Sequence, residues 1–177
     1  INGLLFGAVI YLSGWLTTKF CNPSLIYKWL IMAAVILSPA MLQIYTYLWS
    51  ETLFILETLV FIIAYYKYLQ THSTKALIMV AVVTAISCIT RYAGVTLIGT
   101  GGLLILLDNV LKPKQKIAHL LIFGLIASSL LAGNLILNTL STGLSTGTRE
   151  PSITPFAENL YYFGTVILDW AGLPQSL

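Results

Sequence analysis

Six apolar runs separated by short polar breaks occupy residues 2–18, 29–48, 52–69, 76–90, 95–107 and 117–137. A helix crossing about 30 Å of hydrocarbon needs roughly 20 mostly apolar residues, so each run reads as a membrane-spanning helix. The two runs around Arg91 are short; they reach the interface through Tyr92 and Asp108 or sit in locally thinned bilayer. Ser38-Pro39 interrupts the second run, and proline there removes a backbone donor and predicts a kink. Residues 40–49 then run obliquely along the outer interface, and Ser50 caps the next helix.

Beyond residue 137 the pattern changes. Residues 138–155 are rich in Ser, Thr and Gly, carry Arg149-Glu150-Pro151, and read as an extracytoplasmic loop. In residues 156–172, Glu158, Tyr162, Thr165 and Asp169 recur at helical spacing, with Leu160, Phe163, Ile167 and Trp170 on other faces. Two readings stand for this stretch, an amphipathic helix on the outer surface or the start of a seventh span. The expected fold is all-α: a polytopic transmembrane helix bundle of six spans (residues 1–137) followed by an outer loop and helix (residues 138–177).

Composition agrees. The 177 residues are 58% hydrophobic and 8% charged, with mean hydropathy +0.89. Soluble domains carry about 25% charged residues, so an ordinary soluble domain is excluded. The chain starts inside an apolar run without methionine, and reads as an internal piece of a longer polytopic protein. The formal net charge of +3 gives no reason to expect nucleic acid.

The lysines are Lys19, Lys28, Lys67, Lys75, Lys112, Lys114 and Lys116, and they fall after the first, third and fifth runs. Positive-inside bias puts those three loops in the cytoplasm. A single long helix across residues 76–107 would put Lys75 and Lys112 on opposite sides, so the chain turns at Tyr92-Ala93-Gly94. Tyr65, Tyr66 and Tyr68 then mark the cytoplasmic interface, and Tyr45, Tyr47 and Trp49 the outer one. Glu51, Arg91, Arg149, Glu150, Glu158 and Asp169 all fall on the outer side.

Arg91 is the first candidate for chemistry. An intramembrane guanidinium ordinarily has a partner or a task, and its planar fork matches phosphate or carboxylate bidentately. Gly94 leaves room for an anionic headgroup to approach. The bland readings stand beside this one: Arg91 snorkels, or pairs with Glu51 as a bridge between hairpins. Glu57, inside the third run, reads as a protonated carboxyl hydrogen-bonded in the bundle in preference to a functional acid. Gly99, Gly101, Gly102, Gly124, Ala127, Ser128, Ala132 and Gly133 suit close helix packing, which is preferred over a substrate path. Cys21, placed in a cytoplasmic loop, and Cys88 lie in different segments, as do His72 and His119, and suggest neither disulfide nor metal site; His72 reads as a solvated loop residue. No cofactor or soluble-enzyme motif is present, and a divalent metal is left open.

Leu37-Ser38-Pro39, then Ser50-Glu51-Thr52-Leu53-Phe54, a long apolar helix, a short basic loop and Thr90-Arg91-Tyr92-Ala93-Gly94 resemble the middle of polytopic C-type glycosyltransferases, the protein O-mannosyltransferase and aminoarabinose-transferase relatives among them. The opening Ile1-Asn2-Gly3-Leu4-Leu5-Phe6-Gly7 is similar to the helix that follows their first large outer loop. The resemblance covers residues 1–137. It implies a polyprenyl-phosphate sugar as donor, an acceptor on the extracytoplasmic face, and a multi-pass protein of the cell membrane, in style a bacterial cytoplasmic one. It places the catalytic carboxylate upstream of residue 1, so no catalytic residue is expected in this chain. Arg91, Glu51 and Tyr92 are its substrate-binding candidates: Arg91 would help bind the donor phosphate and Glu51 would shape the same outer cavity. The alternatives are a transporter or flippase subunit, in which Pro39 and the small-residue helices form a moving pathway, and a structural membrane-assembly protein without substrate.

Overall fold

Apolar runs of this length satisfy their backbone donors and acceptors internally only as helices, and helices are what forms. The computed structural model describes residues 1–21, 25–47, 49–146 and 153–170. They fold as α1 (Asn2–Cys21), α2 (Leu25–Leu37), α3 (Pro39–Thr46), α4 (Ser50–Thr71), α5 (Thr74–Thr90), a 3-10 turn (Tyr92–Gly94), α6 (Val95–Leu107), α7 (Pro113–Thr142) and α8 (Phe156–Trp170), with no strand among the described residues. Arg149 and Glu150 lie outside them.

Three helices are long and apolar enough to cross a membrane: Asn2–Phe20, Ser50–Thr71 and Pro113–Thr142. The pair Leu25–Leu37 and Pro39–Thr46, bent by 53°, makes a fourth if counted as one broken span. Six spans are therefore not established. At 1.5 Å per residue, the 17 residues of α5 reach about 26 Å and the 13 of α6 about 20 Å, short of about 30 Å of hydrocarbon.

Local chemistry accounts for the boundaries. The bend is where proline predicts it: Pro39 takes the first position of α3, and the Ser38 side chain caps the helix by accepting from the Met41 N–H. Ser50 is not a cap. It is the first residue of α4, Trp49 precedes it with no side-chain cap, and the Thr52 hydroxyl bonds the Trp49 carbonyl instead. Cys21 belongs to the last turn of α1 rather than to a loop. The expected loop after residue 137 begins later too. Thr139, Ser141 and Thr142 return their hydroxyls to carbonyls four residues back, and the helix ends only at Gly143, whose φ of 74° is the left-handed conformation that closes helices.

The core is the contact of α4, α5, α6 and α7. Phe61 and Tyr68 of α4, Leu77 and Val80 of α5, Ile105 of α6 and Phe123 and Ala127 of α7 are buried together. α5 packs between α4 and α7, and its buried Ala76, Ala81, Ala85, Ser87 and Cys88 allow the close approach. The glycines of α6 and α7 contribute less than expected. Gly101 does receive the Phe123 ring, but a side chain at Gly99, Gly124 or Gly133 would meet only open space.

The bundle has two chemically different ends. At one, the Asn2 side chain bonds the Tyr47 carbonyl, Phe6 stacks on Tyr45, and Glu51 pairs with Arg91. At the other, Phe20 meets Tyr66 and the Lys116 ammonium bonds the Leu106 carbonyl.

The second end also gathers both histidines. His72, the one described non-glycine residue with positive φ (47°), ends α4 and donates Nε2–H to Asp108 Oδ2 at 2.8 Å. The Tyr68 hydroxyl bonds His119 Nδ1 at 2.8 Å, and both imidazoles touch the Tyr68 ring. His72 is therefore a partnered residue, not merely a solvated one, and the two histidines converge through Tyr68. Among the described residues no three His, Cys, Asp or Glu come together as metal ligands.

Burial pushes the Asp108 carboxyl up, but the Val110 amide and the His72 imidazole, helped by the Leu111 amide, outweigh it and hold the group below the ordinary carboxylate value. The unfolded chain, with pKa about 3.9, binds the proton more tightly. The contact thus contributes stability above roughly pH 4 and loses it as pH falls through the folded value. Unfolding followed against pH should show an acid-side loss of stability that is smaller in Asp108→Asn; an acid limb of unchanged depth in that variant would remove Asp108 as its source.

Candidate functional site

α5 terminates at Thr90 because Arg91 turns extended (φ −149°, ψ 141°). Two backbone bonds hold it there: its N–H reaches the Ser87 carbonyl at 3.0 Å, and its own carbonyl accepts the Gly94 N–H at 2.9 Å. The 3-10 turn then folds back onto the end of α5. A Cβ built on Gly94 would stand 2.5 Å from the Ser87 carbonyl carbon and oxygen. The space at Gly94 expected for an anionic headgroup is therefore filled by the backbone of α5, and the glycine serves the turn.

With the backbone so fixed, the Arg91 side chain reaches α4. Its Nη1 pairs with Glu51 Oε1, and both side chains are about one-third exposed (34% and 32%). Further along α4, the Thr90 hydroxyl donates to Glu57 Oε1 at 2.8 Å. Glu57 is buried and hydrogen-bonded within the bundle, while its Oε2 makes no hydrogen bond among the described residues. The first turns of α4 are thus laced to the α5–α6 junction by two carboxyl groups, one at the rim and one inside.

The Glu51–Arg91 pair stands between two recesses. The larger, about 920 Å³, is walled by Ser38, Pro39, Ala40, Met41, Gln43 and Ile44 from the bend and α3, by Phe54 and Ile55 from α4, by Ala93, and by Phe163 of α8. The smaller, about 430 Å³, is lined by Ser50, Thr90, Tyr92 and Ala93 with the same pair. The structure brings all three residues singled out from the sequence together: Arg91 and Glu51 line both recesses, and Tyr92 lines the smaller.

Sequence reasoning missed the apolar wall. The proline bend was readable, but not that it opens a concavity between α3 and α4, and nothing local marked Phe163. Chemically, the pair offers a guanidinium with five N–H donors, of which a carboxylate engages at most two in a bidentate fork. The remaining donors sit beside a largely hydrocarbon cavity of ordinary ligand size.

No family model matches the chain, and no curated protein or solved structure matches it.

Proposed function

We propose that this chain is part of a membrane glycosyltransferase that moves a sugar from a polyprenyl-phosphate donor to an acceptor on the extracytoplasmic face, with Arg91 binding the donor phosphate. One observation carries the reading: a backbone-fixed guanidinium at the edge of an apolar cavity offers both halves of a lipid phosphate their own surface. Positive-inside bias supports the orientation, since the lysine-bearing end would face the cytoplasm and the Arg91 end the exterior. The glycines of α6 and α7 do not line the cavity, so the carrier reading, which needs a small-residue pathway there, has less to support it.

The reaction is an inverting displacement. A carboxylate takes the proton of the acceptor hydroxyl, whose oxygen forms the new bond to the anomeric carbon as the bond from that carbon to the phosphate oxygen breaks. The electron pair leaves with the lipid phosphate, and the Arg91 N–H groups stabilise the charge that develops there. The family resemblance implies a catalytic carboxylate other than Glu51. Glu51 orients Arg91 and shapes the cavity, and Tyr92 borders the smaller recess beside them.

The test is transfer of isotope-labelled sugar from a polyprenyl-phosphate donor, using membranes that contain the complete protein. Wild type should transfer and Arg91→Ala should not. Equal transfer by the two would overturn the assignment.

A further inference from the structure

We infer that α8 covers the cavity beside Arg91 and that Phe163 selects for the hydrocarbon part of an amphiphilic phosphate bound there, a reading that rests on the phosphate role proposed for Arg91. Phe156, Leu160, Phe163 and Ile167 recur at i, i+4, i+7 and i+11 and so share one face of α8. Around the helix from it, the Tyr162 hydroxyl bonds Glu158 Oε1 at 3.0 Å along a polar stripe. The apolar face is left largely uncovered, Phe163 being 63% exposed although it lines the cavity. It shares the lining of the cavity with Pro39, Ile44, Phe54 and Ile55.

An alkyl chain is the occupant this geometry fits. It would fill the apolar wall and remove the Phe163 ring from water, and burial of such surface is favourable in proportion to its area. Phe163 has no polar atom to offer a phosphate, so its effect should fall on the chain and not on the headgroup. Arg91 has the complementary role, its donors serving the phosphate whatever is attached to it.

The experiment measures binding of inorganic phosphate and of farnesyl phosphate to the complete protein in phosphatidylcholine nanodiscs, for wild type, Phe163→Ala, Phe163→Leu and Arg91→Ala. Phe163→Ala should weaken farnesyl phosphate about tenfold and leave inorganic phosphate unchanged, with Phe163→Leu recovering most of the loss. Equal weakening of both ligands by Phe163→Ala, or no weakening of farnesyl phosphate, overturns the cover. Arg91→Ala should weaken both ligands. If it weakens neither while Phe163→Ala still discriminates, the cover stands and the phosphate role of Arg91 fails. Farnesyl phosphate retained against excess phosphatidic acid assigns an isoprenoid occupant; its displacement assigns a bulk lipid under the same cover.

Discussion

Gly94→Ala is expected to destabilise the protein by about 3 kcal/mol, the upper part of the ordinary range for overpacking a filled site. The added methyl would stand 2.5 Å from backbone atoms of Ser87, and a main chain already bonded within α5 cannot swing aside as a flexible side-chain end can. The Ser87 carbonyl is also the acceptor for the Arg91 N–H. Moving it weakens a bond worth about 1 kcal/mol net and lets Arg91 drift from Glu51. Conformation is not the issue, since Gly94 has φ −56° and ψ −20°, values any residue adopts. Gly99→Ala is the control: a methyl there would meet no heavy atom within 4 Å, and alanine is favoured over glycine inside a helix by up to about 1 kcal/mol. Thermal unfolding of the purified variants checks the pair. A Gly94→Ala protein as stable as Gly99→Ala would show that the turn does not press on α5.

The two glycines also show what the sequence could and could not disclose. Helices follow from apolar run length, the bend at Pro39 from proline, and the turn after Arg91 from lysines that flank residues 76–107 and must share one side. The first two depend on a few neighbouring residues and the third on charge placement along the chain, and they are where expectation and structure agree. Which glycine is crowded depends on another element's backbone. Gly94 looked like space for a ligand and is filled, whereas Gly99 and Gly133 looked like packing sites and face nothing. The same holds for the site. Arg91 stood out because a charge in an apolar stretch needs a reason, Glu51 and Tyr92 through the family resemblance, and the three do line one recess. The wall from Pro39 to Ile55 did not stand out, because apolar residues in an apolar chain carry no local mark. His72 and Asp108 meet across 36 positions, and Tyr68 and His119 across 51, distances at which no spacing rule operates.

Arg91→Ala should lower sugar transfer about 100- to 1000-fold, the usual cost of losing one donor group aimed at developing charge, while the protein still inserts and folds. The magnitude separates function from architecture. An ion pair whose partners are both about one-third exposed contributes about 0–1 kcal/mol to stability. At about 1.4 kcal/mol per factor of ten, a lost bridge changes a folded population or a binding constant by about fivefold at most. A loss of two orders of magnitude therefore cannot come from the bridge. Arg91→Lys should recover only about tenfold, because an ammonium restores the charge but not the planar fork. Glu51→Gln keeps an acceptor for the guanidinium and should stay within about tenfold of wild type. If the pair were only a bridge between α4 and the α5–α6 junction, Glu51→Ala and Arg91→Ala would lose the same small amount, and their transfer would follow their melting temperatures. Rates measured at saturating donor, set beside thermal unfolding of the same preparations, decide between the two. Losses that are large at Arg91, small at Glu51 and unrelated to stability place the phosphate on the guanidinium, whereas equal small losses leave the pair as a strut.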